Sequence, residues 1–165
     1  MRPLHTVTDM AHPRTRSTTA YEAGDAWLAR CSAHPASVRK AWRQETLAQI
    51  ASGECWLIAE TVLITTMHAL KRIKPEHQGP VLADPELDKA WWLVPLEAAD
   101  ELADIRQLTV QPKGWRLHCP PTGWHIDGRL WLSRPDGSGQ LTDPAVLAAA
   151  LGPGGAYRLP SEVPR

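Results

Sequence analysis

The sequence predicts an α+β domain in which a mostly antiparallel or mixed sheet is covered by helices. Residues 89–94, KAWWLV, place large apolar side chains on both faces of one strand, which requires a sheet covered on both sides. Asp127-Gly128 lies between two short apolar runs and predicts a hairpin, because both residues tolerate the positive φ angles of a type I′ turn. Segments with helical periodicity precede and separate the strand-like runs.

The N-terminal third is predicted to be helical. Residues 1–17 are polar, contain proline and lack periodicity, so we expect a flexible tail. Thr19 and Glu22 have the spacing of a capping box, which predicts a first helix over residues 20–31. An apolar stripe predicts a second helix from Ser37 to about Ala51, closed by the glycine that follows.

The next segments mix strand and helix signals. Residues 55–59 form a short continuous apolar run that predicts a buried strand. Residues 62–73 begin with β-branched side chains and continue with good helix formers, so strand and helix compete there, and we favour a helix that ends before Pro75. Residues 81–83 open a further strand, and residues 96–104 predict a short acidic helix after Pro95.

The central stretch holds the remaining strands. Residues 108–110 and 115–118 are apolar runs, and the second must end at Pro120-Pro121, because two consecutive prolines lack the N–H groups that a sheet needs. Residues 129–132 follow the Asp-Gly turn. We expect the strands near residues 55–59, 89–94, 115–118 and 129–132 to share one sheet that buries Trp91 and Trp92.

The C-terminal end is delimited by strong local signals. Asp143 followed by Pro144 is a typical N-cap with proline at the first helical position, which predicts a helix over residues 145–151 ending at Gly152. The remaining residues, 153–165, are predicted to be a second flexible tail. A length of 165 residues predicts a single domain, and the two predicted tails limit it to residues 18–152.

Composition and charge constrain the partners and the compartment. The formal net charge is zero, with ten basic and seven acidic side chains in residues 1–80 and eight and eleven in residues 81–165. Any nucleic-acid site must therefore be a local patch. Three cysteines without C-x-x-C spacing, no apolar leader and no run of 18 apolar residues predict reduced thiols in a cytoplasmic protein without a membrane span.

No metal or cofactor is predicted. His118, Cys119 and His125 offer three zinc-type ligands, but a proline pair separates them and a fourth ligand is missing. Asp84, Glu86 and Asp88 have i, i+2 spacing, yet they lie in a proline-containing turn and are expected to face solvent.

Several short motifs resemble a known family. The segments are GPVLADPELDKAWWLVP, ELADIRQLTV, WRLHCPPTGW and WLSRP. Together they resemble the latter two thirds of the prim-pol domain of bifunctional DNA primase/polymerases, in the archaeo-eukaryotic primase superfamily. The similarity covers about residues 20–135. It implies a primase-like sheet with an acid pair on one strand, a catalytic histidine on an aromatic strand and a third acid beyond it.

The catalytic positions of that family are mostly absent here. Leu57–Val62, where the acid pair is expected, contains only Glu60, and Lys89-Ala90 stands where the histidine is expected. Asp104 alone remains in register with a metal ligand. Two-metal nucleotidyl transfer requires several carboxylates around two cations, so Glu60 and Asp104 are at most vestigial and polymerase or primase activity is not expected.

The resemblance and the residues together suggest a degenerate primase-like domain. We expect it to bind single-stranded nucleic acid or nucleotide in replication or mobile-element maintenance, with phosphate contacts from cations near the central stretch and base stacking on two tryptophans. The expected contacts are Lys89, Arg106, Lys113, Arg116, Trp115 and Trp124. A basic strip on the second helix, Arg39, Lys40 and Arg43, is either a solvated face or a further phosphate contact. The alternative is a protein-interaction or regulatory module that uses exposed tryptophans.

Overall fold

The computed structural model describes residues 14–152 of the chain. The five helices of these residues are α1 (Arg14–Arg30), α2 (Pro35–Arg43), α3 (Leu63–Leu70), α4 (Ala98–Leu102) and α5 (Pro144–Leu151). The seven strands are β1 (Ala48–Ala51), β2 (Leu57–Val62), β3 (Val81–Asp84), β4 (Lys89–Val94), β5 (Leu108–Val110), β6 (Arg116–Cys119) and β7 (Leu130–Ser133). A 3₁₀ turn, Pro75–His77, connects α3 to β3.

The main sheet has five antiparallel strands in the order β5-β2-β4-β3-β7. Strand β4 is central, and both Trp91 and Trp92 are buried, at 2% and 0% exposure. The α+β class and the doubly covered strand 89–94 are therefore confirmed. Side chains alternate between the two faces of a sheet along each strand, so the adjacent indoles of Trp91 and Trp92 enter cores on opposite faces.

Two hydrophobic cores sandwich this sheet. One core joins Trp91 and Leu93 of the sheet to α1, α2 and a separate two-stranded sheet of β1 and β6. The other core joins Trp92 and Val94 to α3, α4 and α5. The domain is therefore layered, with one mixed layer and one helical layer on either side of the five strands.

The predicted single sheet is wrong for the strand near residues 115–118. That strand, β6, pairs antiparallel with β1, with Ile50 opposite Leu117 and Ala48 opposite Cys119. The other three predicted strands do share the main sheet. The partner of a strand depends on which apolar faces meet in the folded domain. An apolar run in the sequence does not specify the strand with which it will pair.

The second helix is shorter than predicted, because it ends at Arg43 instead of Ala51. Glu45 adopts a left-handed φ of 56°, and residues 48–51 then alternate buried and exposed as strand β1. The apolar residues of this segment fit both a helical stripe and a two-residue period. Pairing with β6 satisfies the backbone donors and acceptors and decides between them.

Other local predictions are confirmed or shifted. Helix α1 begins at Arg14, so residues 14–17, predicted as tail, are helical and Thr19 lies inside the helix instead of capping it. Ser and Thr lower helix propensity by only fractions of about 1 kcal/mol each, so this polar run does not stop a helix. Residues 1–13 and the predicted tail 153–165 lie outside the described residues.

The later elements follow their local signals. Residues 62–73, where strand and helix compete, contain helix α3, while Val62 ends strand β2. The Asp143 carboxylate accepts hydrogen bonds from the N–H groups of Ala145 and Val146, which confirms the N-cap of α5. Asp127 and Gly128 have φ angles of 50° and 79°, as a type I′ turn requires.

Candidate functional site

Both oxygens of the Glu60 carboxylate are bound by neighbouring donors. One oxygen, Oε1, lies 2.9 Å from Lys89 Nζ, and the other, Oε2, accepts hydrogen bonds from Trp91 Nε1 at 2.9 Å and Gln111 Nε2 at 3.1 Å. Burial by itself would raise the pKa of Glu60, but these hydrogen bonds and the Lys89 charge outweigh it and hold the pKa below its ordinary value. Glu60 is thus a stable, partnered anion.

Asp84 forms a second ion pair on the same face of the sheet. The guanidinium of Arg129 donates from Nε to Asp84 Oδ2 at 3.0 Å and from one terminal nitrogen to the His118 carbonyl at 3.0 Å, and it stacks 4.5 Å from the Trp91 ring. Asp84 is only 6% exposed, so the prediction that it faces solvent is wrong, although Glu86 and Asp88 are exposed. By binding both Asp84 of β3 and His118 of β6, Arg129 joins the main sheet to the two-stranded sheet.

These acids do not form a metal site. Glu60 and Asp84 each face a cation that already neutralises the carboxylate, and residues 14–152 contain no cluster of three or more His, Cys, Asp or Glu side chains that could hold a metal ion. Asp104 is exposed and follows α4, which packs on the opposite face of the main sheet from Glu60. The two vestigial candidates are therefore placed against different layers.

The predicted phosphate contacts lie on several elements of the fold. Lys89 is paired with Glu60, and Arg106 lies exposed between α4 and β5. Lys113 packs beside Gly53, while Arg116 is exposed on the two-stranded sheet and donates to the Gln49 side chain. Lys113 and Arg116 both lie next to the turn after β1, at Gly53 and opposite Ala51, whereas Lys89 and Arg106 lie on other elements.

Trp115 is also less accessible than predicted. It is half-buried, its ring centroid lies 6.4 Å from that of Trp91, and it packs against the core between the two sheets. Only part of the ring can meet a ligand.

Trp124 offers a different kind of surface. Within residues 14–152 it is the one exposed tryptophan, at 57% exposure. It lines an open depression of about 330 Å³ that also contains Arg39 and Arg43 of α2. Asp25 and Glu45 line the same depression, so its charges balance. The structure thus joins Trp124 to the basic strip of α2.

Trp124 also lines a second depression of about 240 Å³, which contains His125, Leu130 and Arg134. Arg134 is held in place by Tyr21, because it donates to the phenol oxygen at 2.6 Å and lies 5.0 Å from the ring centroid. We call the set Arg39, Arg43, Trp124, His125 and Arg134 the Trp124 surface.

The loop that carries Trp124 is anchored to α1 and to β7. Thr122 donates from its backbone N–H at 2.7 Å and from its hydroxyl at 2.6 Å to Asp25 Oδ1. Trp131 donates from Nε1 to the Pro120 carbonyl at 3.0 Å. The proline pair, predicted as the end of a strand, therefore also begins an anchored loop that displays an indole to solvent.

Sequence reasoning found some members of this surface and missed others. Trp124 and the α2 strip were recognised separately, but no local signal connects residues that are far apart in the chain. Arg134 and the anchoring residue Asp25 were not identified at all, because each acts through contacts made across the domain.

The chain was compared with protein-family models, curated proteins and solved structures, and none of these comparisons finds a match. Among the described helices, none combines the length and the hydropathy that a membrane crossing demands.

Proposed function

We propose that this domain binds single-stranded nucleic acid, or the nucleotide that represents one unit of it, through the Trp124 surface. The observation that carries the proposal is a solvent-exposed indole on an anchored loop, with at least one arginine in each of the two depressions that it lines. Single-stranded nucleic acids are recognised by this combination, since bases stack on aromatic rings and phosphates meet cations. This proposal keeps single-stranded nucleic acid or nucleotide as the ligand suggested by the primase-like motifs. It assigns the phosphate contacts to the arginines of the Trp124 surface instead of to the four cations predicted from the sequence.

The surface predicts modest affinity. Stacking on Trp124 supplies about 1–3 kcal/mol per base. Arg39, Arg43 and Arg134 could each neutralise one phosphate, and at about −0.7 per phosphate the log–log salt slope is about −2. Asp25 and Glu45 oppose the first two arginines, so binding is expected only in the micromolar range.

We propose further that the domain performs no nucleotidyl transfer. A catalytic magnesium pair needs carboxylate oxygens that are free to bind the ions. Glu60 and Asp84 instead accept hydrogen bonds from Lys89 and Arg129. A primase-like domain with these ion pairs would serve to hold nucleic acid and not to extend it.

A protein-interaction module is the second candidate. Leu130 is 36% exposed and borders the same depression as Trp124, so the two side chains could together anchor an apolar partner surface. Such a module would use Trp124 as its exposed tryptophan, because the other seven are buried or half-buried.

Fluorescence anisotropy titration against labelled single-stranded DNA, single-stranded RNA, duplex DNA and a mononucleotide separates these possibilities. We expect preference for single strands, affinity that falls between about 50 and 200 mM salt, and at least about a fivefold loss in Trp124→Ala and in Arg39→Gln/Arg43→Gln. Arg106→Gln removes an exposed cation that lines neither of the two depressions beside Trp124, and it serves as the control.

Two outcomes would overturn the proposal. Equal losses in Arg106→Gln and in the double arginine variant would show only nonspecific electrostatic attraction. The absence of binding at low salt would favour the second candidate, in which the Trp124 surface contacts a protein partner.

A further inference from the structure

Six large apolar side chains are exposed among residues 14–152. Two of them, Trp124 and Leu130, line the second depression beside Trp124. The other four lie in α3, directly before it, or in the turn between β3 and β4, and we call them the α3 patch: Val62, Ile64, Met67 and Leu87. An exposed group of large apolar side chains commonly marks an interaction surface.

Backbone contacts bring the helix and the turn of this patch together. The N–H of Leu63, the first residue of α3, donates to the Asp88 carbonyl at 3.1 Å. The β3–β4 turn, which also carries Leu87, therefore lies at the N-terminal end of α3. Ile64 and Met67 are 58% and 40% exposed and are three residues apart, so they share the solvent-facing side of the helix.

The two ends of α3 carry opposite charges. The β3–β4 turn at the N-terminal end has exposed carboxylates on Glu86 and Asp88. Just beyond the C-terminal end, Lys71, Arg72 and Lys74 are exposed and outnumber the one acid of the 3₁₀ turn that follows. The helix has eight residues, so about 12 Å separates these ends. The ion pairs within residues 14–152 involve other side chains, so these charges are available to a partner.

We propose that two copies of this chain associate through the α3 patch with their α3 helices antiparallel. A surface with an acidic end, an apolar middle and a basic end is complementary to itself under a twofold rotation, because each acidic turn then faces the lysines of the other copy. A partner of uniform charge would be repelled at one end. Helices α3 and α2 pack on opposite faces of the main sheet, so this dimer leaves the arginines of α2 uncovered.

The size of the α3 patch predicts a weak dimer. A standard stable interface buries about 800 Å² on each partner, with roughly 20–30 residues a side, and four partly exposed side chains with their charged neighbours supply less. We therefore expect a reversible monomer–dimer equilibrium with a Kd between about 10 and 200 µM. The Kd should rise with salt, because the contacts at both ends of the helix are between exposed charges.

Sedimentation velocity of the full chain without nucleic acid, over about 5 to 500 µM, measures this equilibrium. Ile64→Gln/Met67→Gln removes the apolar middle of the patch and keeps side chains that favour a helix, so we expect at least about a tenfold rise in Kd. Trp124→Ala changes the other exposed apolar site and should leave the Kd unchanged.

Reversing the charges at each end tests the antiparallel arrangement. One variant is Glu86→Lys/Asp88→Asn, in which asparagine tolerates the positive φ of 53° at residue 88. The other is Lys71→Glu/Lys74→Glu. We expect each variant alone to dimerise at least about tenfold more weakly, because like charges then meet at both ends. An equimolar mixture should regain the wild-type affinity as a heterodimer, which native mass spectrometry identifies from the unequal masses.

Four results would overturn the proposal. These are a monomer at every concentration up to about 500 µM, wild-type dimerisation in Ile64→Gln/Met67→Gln, loss of the dimer in Trp124→Ala, and charge variants that stay monomeric when mixed. All substituted side chains are exposed, and far-ultraviolet circular dichroism of each variant checks that the fold is kept. None of these measurements depends on nucleic-acid binding, so the proposed function is tested separately.

Discussion

Arg129→Met should strongly destabilise the domain. The Arg129 side chain is 13% exposed and the Asp84 side chain 8%, so both partners of this ion pair are largely removed from water. Removing one partner of a buried pair leaves an uncompensated charge and typically costs about 3–5 kcal/mol. The substitution also removes the donor to the His118 carbonyl and the cation over Trp91, while methionine keeps the apolar stem.

Two variants provide the comparison. In Asp84→Asn/Arg129→Met the stranded carboxylate is gone, so we expect recovery of at least about 1 kcal/mol relative to Arg129→Met. Lys89→Met breaks the other ion pair, but the Lys89 side chain is 46% exposed, so its loss should cost less than about 1 kcal/mol.

Urea unfolding followed by far-ultraviolet circular dichroism measures all three changes without relying on the altered Trp91 environment. If Arg129→Met lowers the free energy of unfolding no more than Lys89→Met does, the assigned role of Arg129 as a buried link between the sheets is wrong. The same conclusion holds if the double variant is no more stable than the single one.

Three further predictions follow from individual contacts. The pKa of Glu60 is held below its ordinary value of 4.5, so its stabilising contribution is complete above that pH and is lost as the pH falls through the lower folded value. Glu60→Gln should therefore flatten the decline of unfolding free energy below about pH 4.5, and an unchanged acid limb would contradict this. Gly24→Ala should lower Tm, despite a helix-propensity gain of about 1 kcal/mol, because a Cβ there would clash with the Pro135 carbonyl; a higher Tm would refute the close approach. Primer-extension assays with Mg²⁺ or Mn²⁺ should show no template-dependent incorporation, and activity that disappears in Asp104→Ala would show that catalysis survives.

Gly24 shows how sequence and structure assign different roles to one residue. In the sequence it is a weak point in a helix, because glycine has high backbone entropy. In the structure it lets α1 approach the loop at Pro135 and the Thr122 methyl group. Its use is visible only when the facing segment is known.

Features that depend on residues adjacent in the chain were predictable without the fold. Trp91-Trp92 in an apolar run requires a strand covered on both faces, Asp143-Pro144 caps a helix, and Asp127-Gly128 adopts a tight turn, and all three are present. Each follows from local stereochemistry or from the two-residue period of a strand, so no distant partner is needed to predict it.

Features that depend on a distant partner were not predictable from the chain. Residues 48–51 became a strand because β6 was available to pair with them, and Asp84 became buried because Arg129 neutralises it. The Trp124 surface likewise combines segments that meet only after the chain has packed. Burial, strand pairing and charge compensation each depend on two segments in contact. A local stretch of sequence describes only one of these segments, so it does not identify the other.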